Sequence, residues 1–324
     1  MEKARYMPEA IIIGGAIADV LLCPVDKTVF EKGSMPVDSI RMRIGGDAIN
    51  ESTVLARLGH RPMLTTVLGD DGVADFIEKH CEREGVLLHA ARRVEMDTGI
   101  NAVLVGPDGE RSFITNRNGS LRRLSAGEVL HVFETEGFRQ ARLVCLASMF
   151  VSPLLTIDDM TEIFARARKA GKIVCADSTK RKNGETLADA ACALEHLDYF
   201  MPNLEEARLL TGLDSPEDVA DALLEAGVKN VALKLGGEGC LLKNARERYA
   251  VPCYPVKKCL DTTGAGDTFA AALQAAVLEG RSFVECGAFA NAAASLCVEQ
   301  LGATSAAMDR AEIEQRFRYI LSCV

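Results

Sequence analysis

Asp261-Thr262-Thr263-Gly264-Ala265-Gly266-Asp267-Thr268-Phe269 sets three small residues and a carboxylate at the head of an alanine- and leucine-rich run, Ala270 to Leu278, that ends at Gly280. Alanine and leucine are good helix formers, and a glycine just past the run is a stop. The first backbone N–H groups of a helix have no intrahelical partner and point outward, and the macrodipole adds partial positive charge there. Gly264, Ala265 and Gly266 therefore make an anion site that needs no basic side chain. Asp267 sits where it could accept the proton of a hydroxyl attacking a phosphoryl group held in that cradle. A plainer reading stays open from these residues alone: a glycine-rich turn entering a buried helix, with Asp267 in the first turn for dipole reasons.

The bulk numbers narrow the class. The chain has 324 residues, 48% of them apolar, with a net charge of −9 and eleven cysteines. That is enough for one large α/β domain or two smaller ones. No run of eighteen apolar residues occurs, so no membrane span is expected. The absence of a long basic run argues against nucleic acid as a partner. The charged start, Met1 to Pro8, is not a secretory signal. The cysteines are scattered, with no Cys-x-x-Cys pair, and read as reduced thiols of a cytoplasmic protein.

Ala10-Ile11-Ile12-Ile13 before Gly14-Gly15 reads as a buried strand. Similar runs recur at Leu143–Leu146, Ile173–Ala176, Asp198–Met201 and Val231–Leu235. Between them Thr156–Ala170 and Pro216–Ala226 read as helices ending at Gly171 and Gly227. This alternation predicts a mostly parallel sheet with helices on both faces and ligands beyond the carboxyl ends of the strands. Two segments break the rhythm. Pro24–Ile44 and Gly99–Thr115 alternate apolar and polar residues, and the second contains a Pro107-Asp108-Gly109 turn. They read as half-exposed antiparallel strands or surface hairpins.

The nine-residue string resembles the signature of the ribokinase/PfkB family of carbohydrate and nucleoside kinases, Asp-Thr-x-Gly-Ala-Gly-Asp-x-Phe, at every fixed position. The resemblance runs from Asp19 to Asn291 with the family's motifs in order. It implies a ribokinase-like three-layer α/β/α sandwich over residues 1–324. A small β-sheet lid, from segments near 20–44 and 95–118, would cover the substrate and pair with another subunit as a homodimer. It implies that Gly264, Ala265 and Gly266 form the anion hole and that Asp267 is the base. Asp19 corresponds to the family's diol-binding carboxylate, and Gly45-Gly46-x-x-x-Asn50 to the stretch lining the sugar site.

Toward the nucleotide, Asn203 and Glu206 match an Asn-x-x-Glu motif that organises Mg²⁺ through water, although Asn203 is equally a good helix N-cap. Lys234 and Gly236 would lie beside ATP, Asn291 near the adenine, and Gly302-Ala303-Thr304 along the nucleotide edge. Asp261 and Thr263 correspond to positions that bind a potassium-like ion (K⁺) in some members. Ile17 and Asp47 depart from the Asn and Lys often found there, which makes ribose and fructose phosphates poorer acceptors to expect. Clustered cations, among them Arg111, Arg117, Lys180, Arg181 and Lys182, would favour an acceptor bearing a carboxylate, since Arg binds one bidentately. The expected activity is ATP-dependent phosphorylation of a sugar or sugar acid. A nucleoside kinase of the same superfamily and a sugar sensor without catalysis are the alternatives.

Overall fold

The computed structural model describes residues 7–93, 95–108 and 110–324. The leader reading of residues 1–6 and the Gly109 position of the hairpin turn lie outside the described residues. The main sheet contains β1 (Ala10–Ile13), β4 (Pro62–Gly69), β5 (Leu87–Arg93), β8 (Leu143–Met149), β9 (Ile173–Ser178), β10 (Tyr199–Phe200), β11 (Asn230–Lys234), β12 (Cys240–Asn244) and β13 (Arg248–Val251). Their order is β13-β12-β11-β10-β9-β8-β1-β4-β5. The strands from β5 across to β11 run parallel, and β12 and β13 close the other edge antiparallel. A second sheet is built from β2 (Ile17–Cys23), β3 (Ser39–Gly45), β6 (Ile100–Val105) and β7 (Arg111–Thr115), in the order β3-β2-β6-β7.

Strand periodicity explains the layers. Successive side chains point to opposite faces. Ala10 and Ile12 enter one core with the helices Asp47–Arg57, Ala265–Leu278 and Phe283–Cys297. Ile11 and Ile13 enter the other, with Ile157–Lys169 and Pro216–Glu225. A continuous apolar run is what a strand buried on both faces requires.

The small sheet differs from the sequence reading in its strands and in their pairing. The run Pro24–Ile44 contributes a strand only from Ser39 onward, and a short helix spans Val29–Lys32. The central strand is Ile17–Cys23, and Asp19 lies inside it. β2 holds the sheet together because it pairs antiparallel with β3 and parallel with β6.

Candidate active site

The loops after the parallel strands bring the site together, at the carboxyl ends where such sheets bind ligands. Gly264 is the N-cap of the Ala265–Leu278 helix, with φ +78°. A Cβ there would stand 2.5 Å from the Ala303 Cα, so both backbone angle and space require glycine. Asp267 falls in the first helical turn, and Asn50 Nδ2 donates to its Oδ2 at 2.7 Å. Asn50 is itself buried, on the helix that Gly46 caps. Asn50 and Asp267 thus meet although more than 200 residues separate them (|i−j| 217).

Lys234 ends β11, and its ammonium lies 3.4 Å from where a Cβ on Gly266 would be. It forms an ion pair with Asp177 at the end of β9. Burial raises the Asp177 carboxyl to about 7 despite that partner. Burial also opposes the charge on Lys234, yet Asp177 and Glu206 hold its pKa above the ordinary lysine value. A lysine ammonium is a compact point charge. Here it is fixed beside the helix N-terminus, as a bound phosphate would require.

Asp267 departs from one expectation. A helix N-terminus favours the carboxylate. Burial, together with the negative Asp47, nevertheless pushes the Asp267 carboxyl well above the usual range, with the Asn50 bond opposing. Asp19 and Glu206 are raised as well, burial being the first cause for each. The cleft therefore crowds carboxyls. Among the described residues no three His, Cys, Asp or Glu groups converge to hold a metal by themselves. Oxygen donors with too few protein ligands for a closed cage suit Mg²⁺ carried on nucleotide phosphates and waters. Glu206 lies close enough to Lys234 to help hold its charge. Its Oε2 accepts from Ser178 Oγ at 3.0 Å and from Asn203 N at 3.1 Å, and Asn203 Oδ1 accepts from Glu206 N at 2.9 Å. The capping reading of Asn203 is what the structure displays, on the loop that also bridges to Lys234.

Across the cleft stands the small sheet. Asn101 Nδ2 donates to Asp19 Oδ1 at 2.9 Å, and Thr115 Oγ1 donates to Asn101 Oδ1 at 2.8 Å. Arg43 is the residue opposite Asp19 on β3. Sequence reasoning missed Asn101 and Thr115. They become visible only when the register places them on the same sheet face as Asp19. It also missed Arg122, whose Nε is buried with no hydrogen-bond partner. The neighbouring Leu121 packs on Gly15 and Gly99 beside the site. Lys182 stands near Arg122 and Asp47, and burial, then Arg122, lowers its pKa. Arg117 is exposed on the turn after β7 and Lys180 pairs with Glu205, while Arg181 bonds the Gly184 and Glu185 carbonyls.

Two expected roles meet other partners. The Asn291 amide donates to the Val251 and Pro252 carbonyls at 3.0 and 3.1 Å, tying its helix to the sheet edge. Gly236 opens a 3₁₀ turn, and its carbonyl accepts from Cys253 Sγ at 3.2 Å. The Asp261–Thr263 pair does not fit a K⁺ ion. Asp261 Oδ1 accepts from Thr263 N at 3.0 Å and Oγ1 at 2.7 Å, and Oδ2 accepts from Gly302 N at 2.9 Å and Arg111 Nη2 at 2.8 Å. Four donors fill a carboxylate's acceptor capacity.

Comparison with known proteins agrees with this fold. The model of the pfkB family carbohydrate kinases matches residues 7–310. A ribokinase of Arabidopsis thaliana is 28% identical over 323 residues, covering 97% of this chain and 82% of that protein. A 2-dehydro-3-deoxygluconokinase of Bacillus subtilis is 27% identical over 281 residues, covering 83% and 85%. The solved structure of Arabidopsis thaliana ribokinase complexed with ribose and ATP superposes with a TM-score of 0.79 at 26% identity, over 96% of this chain and 99% of that one. With a mostly parallel sheet and the family model matching residues 7–310, the chain belongs to the pfkB family of carbohydrate kinases.

Proposed function

We propose that this chain transfers the γ-phosphoryl group of ATP to a hydroxyl of a sugar acid, with Asp267 as the base. The observation that carries the transfer is the placement of Asp267 at the mouth of the Gly264–Gly266 helix start, beside Lys234 and Asn50. The hydroxyl oxygen forms the new bond to phosphorus as the bond to the leaving ADP oxygen breaks, and Asp267 takes the hydroxyl proton. Because the transition state is loose, positioning and charge stabilisation matter more than base strength. The helix N–H groups and Lys234 meet the equatorial phosphate oxygens. Asp19, oriented by Asn101, accepts from acceptor hydroxyls. Mg²⁺, held through Glu206 and water, would neutralise charge on the phosphates.

The acid is favoured by Arg122, with a buried unpartnered Nε, and by Lys182 beside it. An unpaired buried donor is costly, and a carboxylate is the natural partner of a guanidinium. The 2-dehydro-3-deoxygluconokinase name of one relative supports the same class. The outer face of the small sheet supports a homodimer. Ile40, Met42 and Ile114 there are 64%, 45% and 57% exposed. Eleven unpaired cysteines support a reducing, cytoplasmic setting. Among the described residues no helix is long and apolar enough to cross a membrane.

An ADP-release screen over aldonates, keto-deoxy acids, neutral aldoses and ketoses, and nucleosides tests the reading. A sugar acid is expected to give the highest kcat/KM. A nucleoside or neutral sugar as best acceptor overturns the acid, and no ADP with any acceptor overturns the kinase in favour of a sensor. Asp267→Asn should lose about two decades of turnover or more while still binding nucleotide.

A further inference from the structure

Arg111 stands on β7 of the small sheet, yet its guanidinium reaches the loop that precedes the anion hole. Nη2 donates to Asp261 Oδ2 at 2.8 Å, and Nη1 donates to Thr263 Oγ1. The pair is well sheltered, with the Arg111 side chain 23% and Asp261 6% exposed. The separation in sequence is 150 residues, so this is a tertiary contact that only the assembled site makes.

We propose that Arg111 is a built-in cation that takes the place of a monovalent metal ion beside the anion hole, so that turnover of this enzyme does not depend on K⁺. Three physical points carry this. The charge is correct: a guanidinium is permanently positive and supplies several donors in one plane. The ligands are correct: it engages both Asp261 and Thr263, the two oxygen-bearing side chains that would otherwise face an ion. The remaining capacity is closed, because Thr263 N and Gly302 N complete the Asp261 carboxylate and an ion would have to displace one of these bonds.

The contact also has a consequence for positioning. Asp261 begins the nonapeptide, and Gly302 adjoins Ala303, which packs on Gly264. Arg111 therefore braces the backbone that carries the anion-hole N–H groups. Since Arg111 arrives from the small sheet, the brace spans the cleft between the two sheets. Arg111 is a positioning residue in this account. It acts on phosphate through the loop and not by contact.

The inference rests on the kinase reading for its turnover arm only. Wild-type turnover, with the best acceptor and saturating Mg²⁺ and ATP, should be the same in choline chloride as in potassium chloride. Arg111→Ala should lose about tenfold or more in kcat, less than deleting an anion-hole donor outright, and recover several-fold with added K⁺ or guanidinium. Melting temperature gives a readout independent of turnover. K⁺ over choline should leave the wild type unmoved and raise Arg111→Ala, because an ion that binds only the folded state stabilises it by mass action. Several-fold K⁺ activation of the wild type, K⁺ stabilisation of the wild type, or an Arg111→Ala loss that neither cation restores would each overturn the assignment. Should Arg111→Ala fail to fold, Arg111→Gln serves the same comparison, since it keeps the stem and removes the charge. If no acceptor yields ADP, the kinase reading fails while the melting comparison still decides the cation.

Discussion

Gly45 shows how tightly one position in this protein is set. A Cβ at residue 45 would overlap the Asp19 carboxylate, which packs directly over the glycine. The two are also near neighbours in the ladder, where Ile17 pairs with Gly45 and Asp19 with Arg43. Gly45→Ala should therefore displace Asp19 from Asn101 and lower kcat/KM for the acceptor by roughly ten- to a hundredfold, the usual scale for small misplacement of a binding group. KM for ATP should change little, because the proposed anion hole lies at the start of the Ala265–Leu278 helix and not on the strand that ends at Gly45. Steady-state kinetics with each substrate varied in turn check this, and an unchanged acceptor kcat/KM would show that Asp19 does not hold the acceptor.

Among elements, the contact between the Asp47–Arg57 and Ala265–Leu278 helices holds a further titratable group beneath the site. Glu51 is fully buried, and Gln274 Nε2 donates to its Oε2 at 2.6 Å. Burial, then Asp177 and Asp267, push its carboxyl well above the ordinary glutamate range. A carboxyl raised in the folded state binds a proton that the unfolded chain has already released. Its stabilisation is complete below the unfolded value and lost as pH rises through the folded one. Glu51→Gln, which removes the titration and keeps the shape, should flatten the fall in melting temperature between mildly acidic and alkaline pH. At mildly acidic pH it should cost within about 1 kcal/mol. Parallel melting curves for the two proteins would show that Glu51 does not titrate in this window.

These same elements show what was legible beforehand. β1, β8, β9 and β11 are apolar runs bounded by turns, and the two-faced core follows from their alternation. The nonapeptide placed the Asp267 helix because its glycines, carboxylate and following alanines all favour one structure. Ile17–Cys23 was hidden because its role as a central strand depends on partners far along the chain, β3 and β6. The cleft side chains Asn101, Thr115 and Arg122 were hidden for a related reason. Single polar residues carry no pattern until the register is known. Arg111 was noticed as a cation, but nothing local in its sequence points to Asp261.

At the scale of the molecule, the small sheet has two unlike faces. Register puts Asp19, Asn101, Thr115 and Arg111 on the side that meets the cleft, and Val20, Leu22, Ile40, Met42, Ala102, Leu104 and Ile114 on the other. An exposed apolar sheet face of this kind marks an interaction surface. If a second copy covers it, the double variant Ile40→Glu with Met42→Glu should convert the dimer to monomer. The expected rise in Kd is about a hundredfold or more, from roughly 1.5 kcal/mol for each buried side chain. Sedimentation velocity reads this directly, and a wild-type monomer at micromolar concentration would exclude the interface.

The division of the site between the two sheets has one more consequence, for futile ATP cleavage. The main sheet carries Lys234 and a helix packed on it carries Asp267, whereas Asp19 and Arg111 ride on the small sheet. Without the side chains of the small sheet, the proposed base and anion hole would lack both the proposed acceptor anchor and the guanidinium brace. Nucleotide bound without the groups of the small sheet would meet an incomplete site, so ADP release in the absence of acceptor is expected to be slow beside release in its presence.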